Sequence, residues 1–301
     1  MTPQATHIPA SASSPLEFPV LADTDLATLV VLLSALMHAS WNAVIKAGSD
    51  RLSSMALVDG VAFCFSIALL PLVGPPPLVV WGLIGLSVLV NTLYRLLLIR
   101  AYQFGDFGQV YPVVRGLPPL LVALCAGLVF GEHLSGAMLL GIVLISAGIL
   151  SLLSTRLESQ ALKALGCAAL AGAGVALYTL IDAQGVRRAD SVLQFVVYLT
   201  LMQSMTIPVI AWIRRGPLVL RFAQANWKIG LFGGFNYCVA YGLVLFAMTL
   251  DNVAKVAALR ESSVIIAAII ASLVFKEPFG IRRILAACVV TAGILLIKLV
   301  D

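Results

Sequence analysis

The chain has 301 residues, 61% hydrophobic and 11% charged, with a formal net charge of +5 and a mean hydropathy of +1.04. Soluble domains carry roughly 25% charged residues, so this composition excludes an ordinary soluble enzyme or binding module. The basic residues mostly flank apolar runs, where they meet the headgroups of a lipid bilayer; a nucleic-acid partner is excluded on the same ground.

Residues 1–26 are rich in Pro, Ser and Ala, with neither the basic start nor the apolar core of a cleaved leader, and are expected to be a disordered tail. Apolar runs follow at 27–47, 54–73, 78–101, 107–130, 136–154, 162–182, 191–213, 228–249, 253–275 and 281–299. Each is close to the ~20 residues that cross the hydrocarbon layer, and they are numbered here as spans 1 to 10. Short breaks such as GPPP (74–77), GEHLSG (131–136) and KEPFG (276–280) separate them, and only 213–228 reads as a longer loop. The fold expected is an all-α polytopic membrane protein of ten transmembrane helices. Cys64, Cys125, Cys167, Cys238 and Cys288 all fall in apolar runs without a C-x-x-C pair, so they read as packing residues.

The two halves are related. Shifted by 145 positions, residues 91–153 align on 236–298 without a gap, pairing Asn91 with Asn236, Asp106 with Asp251 and Arg115 with Arg260. LVF-x-E at 128–132 meets LVF-x-E at 273–277, and AGIL at 147–150 meets AGIL at 292–295. A weaker match at an offset of 137 places Trp41 and Asn42 on Tyr178 and Thr179. Polar matches are informative because chance alignment of apolar helices mostly pairs Leu, Val and Ala. Five spans per half is odd, so the second copy enters the membrane from the opposite face. The organisation expected is two inverted-topology five-helix repeats, 27–154 and 155–301, with a site near the midplane between them.

With GLVFGEHLSG and its copy SLVFKEPFG each followed by a span ending in AGIL, the chain resembles the drug/metabolite transporter superfamily, EamA type. The resemblance covers residues 27–299. It implies transport of small metabolites, often export of amino acids or related compounds, in a bacterial cell (inner) membrane. It also implies a central cavity walled by spans 3, 4, 8 and 9 with parts of 1 and 6, and termini in the cytoplasm. Loop charges argue the reverse orientation. Basic residues from Lys46 and Arg51 to Arg282 and Arg283 gather at odd-numbered loops, while even-numbered loops carry mainly Arg187 and Arg188, and positive residues mark the cytoplasmic side.

Polar residues inside the spans are the candidate site, because intramembrane charges pair or line cavities. Span 1 carries His38, Trp41, Asn42 and Lys46, with His38, Asn42 and Lys46 on one face. Span 3 offers Asn91, Tyr94 and Arg95 on one face, and span 8 answers with Asn236, Tyr237 and Tyr241. Span 6 adds Tyr178, with Asp182 near its expected end and so in a solvated position. Arg115 lies about 12 Å into span 4, and its partner Arg260 stands beside Glu261. These charges serve as an ion pair between the halves, as solute contacts, or as a gate that is both. Pro112, Pro118 and Pro119 are expected to bend or open span 4. Glu132 and Glu277 read as caps of the helices that follow them.

Arg95, Arg115 and Arg260 against Glu261 give a cationic bias. The expectation is a secondary transporter, an exporter, of a small polar solute bearing an anionic group, such as an amino acid or organic acid. The alternatives are a cationic or drug-like solute and a non-transporting scaffold or receptor. No cofactor, metal or catalytic pair is read, and a homodimer is neither required nor excluded. The four-helix relatives carry a buried Glu in their first helix for proton exchange. Span 1 here has none, leaving Glu261, Asp182 and His38 as coupling candidates.

Overall fold

The computed structural model describes residues 23–47, 50–153, 160–275 and 280–299. Glu277, the boundary between the halves at 154/155 and most of the expected tail lie outside the described residues. All regular structure among the described residues is helical: α1 (Asp23–Ala47), α2 (Arg51–Leu69), α3 (Leu78–Phe104), α4 (Phe107–Phe130), α5 (Gly136–Leu150), α6 (Ala161–Arg188), α7 (Val192–Gln203), α8 (Thr206–Arg215), α9 (Leu218–Leu250), α10 (Val253–Arg260), α11 (Ser262–Phe275) and α12 (Ile281–Leu299). Seven stretches are long and apolar enough to cross a membrane, one of them joining α7 and α8.

Local chemistry sets the ends. α1 starts inside the expected tail, at Asp23, with Asp23 and Asp25 in its first turn, where carboxylates meet the positive end of the helix dipole. Asp50 caps α2, and Asp106, Ser135 and Ser191 cap α4, α5 and α7 through side-chain oxygens. The Ser53 hydroxyl donates to Asp50 at 2.8 Å and holds that carboxyl below its ordinary range. α4 ends on Gly131 at φ 67°, a conformation that glycine adopts without strain.

Three expectations need correction. The long loop 213–228 is largely helix: α9 starts at Leu218, after Pro217, and kinks at Asn226 (φ −119°, ψ 17°). Span 6 runs on to Arg188, which puts Asp182 well inside the helix. The bend expected in span 4 falls in its copy instead. α4 is one helix through Pro112, Pro118 and Pro119, while the proline-free copy breaks between α10 and α11 at Glu261. Pro112, Pro118 and Pro119 are buried inside a helix that continues through them. At Glu261 the N–H bonds to the Ala258 carbonyl three residues back at 3.0 Å, a tighter 3₁₀ turn that ends α10.

The packing respects the repeat. α3 packs on α6 as α1 packs on α9, α4 packs on α6 as α10 and α11 pack on α1, and α5 packs on α12. At the last interface a Cβ on Gly148 would meet Val290 and the Ala286 carbonyl, and one on Gly293 would meet Ile145 and the Gly141 carbonyl. Each set maps onto the other under the 145-residue shift. The pairing also shows that α5 and α12 run antiparallel. Small residues allow this approach of two backbones. The outer face is apolar: Leu128 is 90% exposed and its repeat partner Leu273 76%, as suits side chains bathed in lipid.

Candidate functional site

The sequence-equivalent arginines meet where α4 crosses the α10–α11 break. Arg115 Nε lies 3.0 Å from Glu261 Oε2, and Arg115 Nη2 donates to Ser263 Oγ at 3.0 Å. The 3₁₀ turn that ends α10 sets the Glu261 carboxylate opposite α4. Arg260 sits differently. It is buried beside Tyr178 of α6, and it forms no ion pair within 4.0 Å among the described residues. Two residues equivalent in sequence thus have unequal surroundings: Arg115 is in ion-pair contact with Glu261, whereas Arg260 has Tyr178 beside it and Glu261 only in electrostatic reach.

Around this crossing the aromatic candidates come together. The Tyr94 and Tyr178 rings lie 5.9 Å apart, Trp41 and Tyr237 5.4 Å, and His38 and Trp41 5.2 Å. Arg115 and Arg260 are both within electrostatic reach of His38 and Tyr94. Trp41 Nε1 is buried with no hydrogen-bond partner among the described residues. Arg95 pairs with Asp59 of α2, Nη1 to Oδ2 at 3.2 Å, beside Tyr94 and Tyr237. Asp59 escaped the sequence reading; its signal is a lone acid inside an apolar run.

Asp182 was also misplaced by the sequence. It is 0% exposed, not solvated at a helix end. The Tyr241 hydroxyl donates to its Oδ2, Ser87 of α3 borders it, and Arg260 is in electrostatic reach. Gln203 of α7 donates to the Ser87 hydroxyl at 3.5 Å. With Asp59 and Asp182 counted, Arg95, Arg115 and Arg260 face Asp59, Asp182 and Glu261, and the expected cationic excess disappears. The asparagines do not join the array. The amides of Asn42 and Asn236 donate to carbonyls of their own helices, His38 at 2.7 Å and Phe232 at 2.8 Å, and Asn42 is exposed. Asn91 is half-buried one turn before Arg95.

A second cluster joins the halves at one end of the bundle. Glu132 does not cap α5, as expected; Ser135 does. Its oxygens accept from Val253 N–H at 2.8 Å and Ala254 N–H at 3.4 Å, so it caps α10 of the other half. Arg187 of α6 lies 3.4 Å from Glu132 and donates to the Met248 carbonyl at 2.8 Å and the Asp251 carbonyl at 3.1 Å. The carboxylate and the guanidinium thus hold the two ends of the α9–α10 turn.

The EamA-like transporter family model matches residues 25–154 and again 162–299. The chain belongs to the EamA-like transporter family. It is therefore a multi-pass membrane transporter, and membership points away from an enzyme. A search of curated proteins found no match. Among solved structures 29 chains match; one crystal structure superposes with a TM-score of 0.73 at 18% identity, covering 91% of this chain and 97% of that one. At that identity the likeness speaks for the fold alone. The double match of this EamA-like chain coincides with the repeat read from its polar residues.

Proposed function

We propose that this EamA-like protein is a secondary transporter of ten spans that moves a small polar solute bearing an anionic group, such as an amino acid or organic acid, outward across the cell membrane. Its two five-helix halves, 27–154 and 155–301, alternate access to the array between them. The antiparallel α5–α12 contact supports an inverted relation of the halves, since an axis lying in the membrane plane reverses each helix onto its copy. α5, α10 together with α11, and α12 complete the ten spans beyond the seven that length and composition alone count.

The observation that carries the solute class is Arg260: a buried guanidinium with no carboxylate within 4.0 Å among the described residues, beside Tyr178 and in electrostatic reach of Tyr94, His38 and Glu261. A guanidinium offers a carboxylate a two-pronged fork of hydrogen bonds. Arg115 and Arg95, held by Glu261 and Asp59, shape the array and are less available.

Counterflow in proteoliposomes, run over a panel of labelled amino acids, organic acids and organic cations, tests this. An anionic or zwitterionic solute is expected to exchange, with the rate lost in Arg260→Ala and partly kept in Arg260→Lys. Exchange of acids that survives Arg260→Ala at normal membrane insertion refutes the assignment. A cationic solute is the second reading, favoured by the aromatic pairs Tyr94–Tyr178 and Trp41–Tyr237, whose ring faces attract cations; exchange of cations alone would select it.

A further inference from the structure

Several carboxyl groups are buried among the described residues, and most have a cation in contact. Asp59 has Arg95, Glu261 has Arg115, Glu132 has Arg187, and Asp251 has Lys255 at 2.7 Å. Asp182 differs. Its one hydrogen-bond donor among the described residues is uncharged, the Tyr241 hydroxyl; Ser87, which accepts from Gln203, borders it, and the Asp182 Oδ1 has no hydrogen-bond partner among the described residues. The charged and titratable groups facing it are Tyr241 from α9 and Arg260 from α10, with Ser87 of α3 and Gln203 of α7 supplying neutral dipoles.

Protonating an ion-paired carboxylate in a dry interior strands its arginine. Protonating one held by neutral dipoles strands nothing and removes a buried charge. Asp182 is therefore the carboxyl of the array that can change protonation at the least cost. The cation in electrostatic reach of it is Arg260, which has no ion-pair contact within 4.0 Å among the described residues.

We propose that Asp182 is the proton-binding residue of the transport cycle, exchanging its proton in step with occupancy of Arg260. With the site empty, Arg260 balances an ionised Asp182. A solute carboxylate that takes the guanidinium removes that balance, and Asp182 takes up one proton. The solute and the proton each raise the other's affinity by the same factor, as linkage requires, so one proton travels with each anionic solute, and outward movement of both is driven by the solute's own gradient. This rests on the reading of Arg260 given above.

Two measurements separate the failure of this inference from the failure of that reading. The first needs no solute: infrared difference spectra of the reconstituted full-length protein, recorded across a pH titration. Wild type is expected to show the carbonyl stretch of a protonated buried carboxyl, Asp182→Asn to lack it, and Tyr241→Phe to keep it at a shifted frequency and midpoint. An identical band in Asp182→Asn, or no band in wild type, overturns the inference. The second is flux of labelled alanine and succinate. The pH gradient is expected to drive accumulation in wild type but not in Asp182→Asn inserted to the same level. Gradient-driven accumulation by Asp182→Asn overturns the inference. If neither probe is transported while the infrared band behaves as expected, the solute reading fails and the proton site stands.

Discussion

Removing the Glu132 carboxylate should release one end of the bundle by an amount that can be worked from its contacts. The side chain accepts from two backbone N–H groups at the N-terminus of α10, one at 2.8 Å and one at 3.4 Å. All eight residues of α10 are buried, so water does not readily replace a lost acceptor. A hydrogen bond to a charged group contributes about 1.5–3 kcal/mol. The longer contact and the helix dipole add about 0.5–1 kcal/mol together. Glu132→Ala should therefore cost the closed arrangement about 2–4 kcal/mol. At 1.4 kcal/mol per tenfold, the lower figure raises the open population about 30-fold. Glu132→Gln keeps an acceptor oxygen and loses the charge, so its cost should be about 1 kcal/mol. The assay is maleimide labelling of a Val253→Cys variant, whose position is fully buried, with and without each Glu132 substitution. Labelling should accelerate in the order Ala, then Gln, then Glu. Equal rates in all three, with thermal midpoints unchanged in detergent, would refute the assignment of Glu132 as a cap that closes this end.

Other predictions concern packing and the second ion pair. Gly293→Ala places a methyl 2.7 Å from the Gly141 carbonyl and 2.8 Å from Ile145, contacts that α5 and α12 can relieve only by separating, so a loss of about 1–3 kcal/mol is expected in unfolding measurements. Gly82→Ala, with nothing within 4 Å of the added carbon, is the control and should leave the midpoint unchanged or slightly raised. Arg95→Leu leaves Asp59 buried without its partner and should cost about 3–5 kcal/mol, whereas the double change with Asp59→Leu should recover most of it. A double variant no more stable than Arg95→Leu would mean that the two side chains do not act as a pair.

The site was legible where the repeat made it so. Arg115 and Arg260 stood out because polar identities recurred at one offset in apolar helices, and Glu261 as the acid beside Arg260; the structure sets Arg115 against Glu261 and leaves Arg260 in electrostatic reach of both. Asp59 was not read, and Asp182 was read as a coupling candidate but set at a solvated helix end, because neither has a counterpart in the repeat. Their importance lies in contacts with Arg95 and Tyr241, on other helices. Glu132 was read as a cap, which its chemistry supports, but its helix is 121 positions away, and no local pattern names that partner. The prolines misled as well. Local rules predict a kink in α4, whereas α4 continues through its prolines and the break falls at Glu261.

The sequence alone determined the membrane setting, the approximate positions of the spans and the duplication, because apolar runs of bilayer length and a repeated polar pattern are one-dimensional properties. The tertiary structure decided which helix faces turn inward, which charges are neutralised and which end is clamped. Lipid is as apolar as the protein core, so a hydrophobic pattern does not distinguish the outer face of a span from the inner one. Only packing could separate Leu128, exposed to lipid, from Asp182, sealed between α3, α6 and α9.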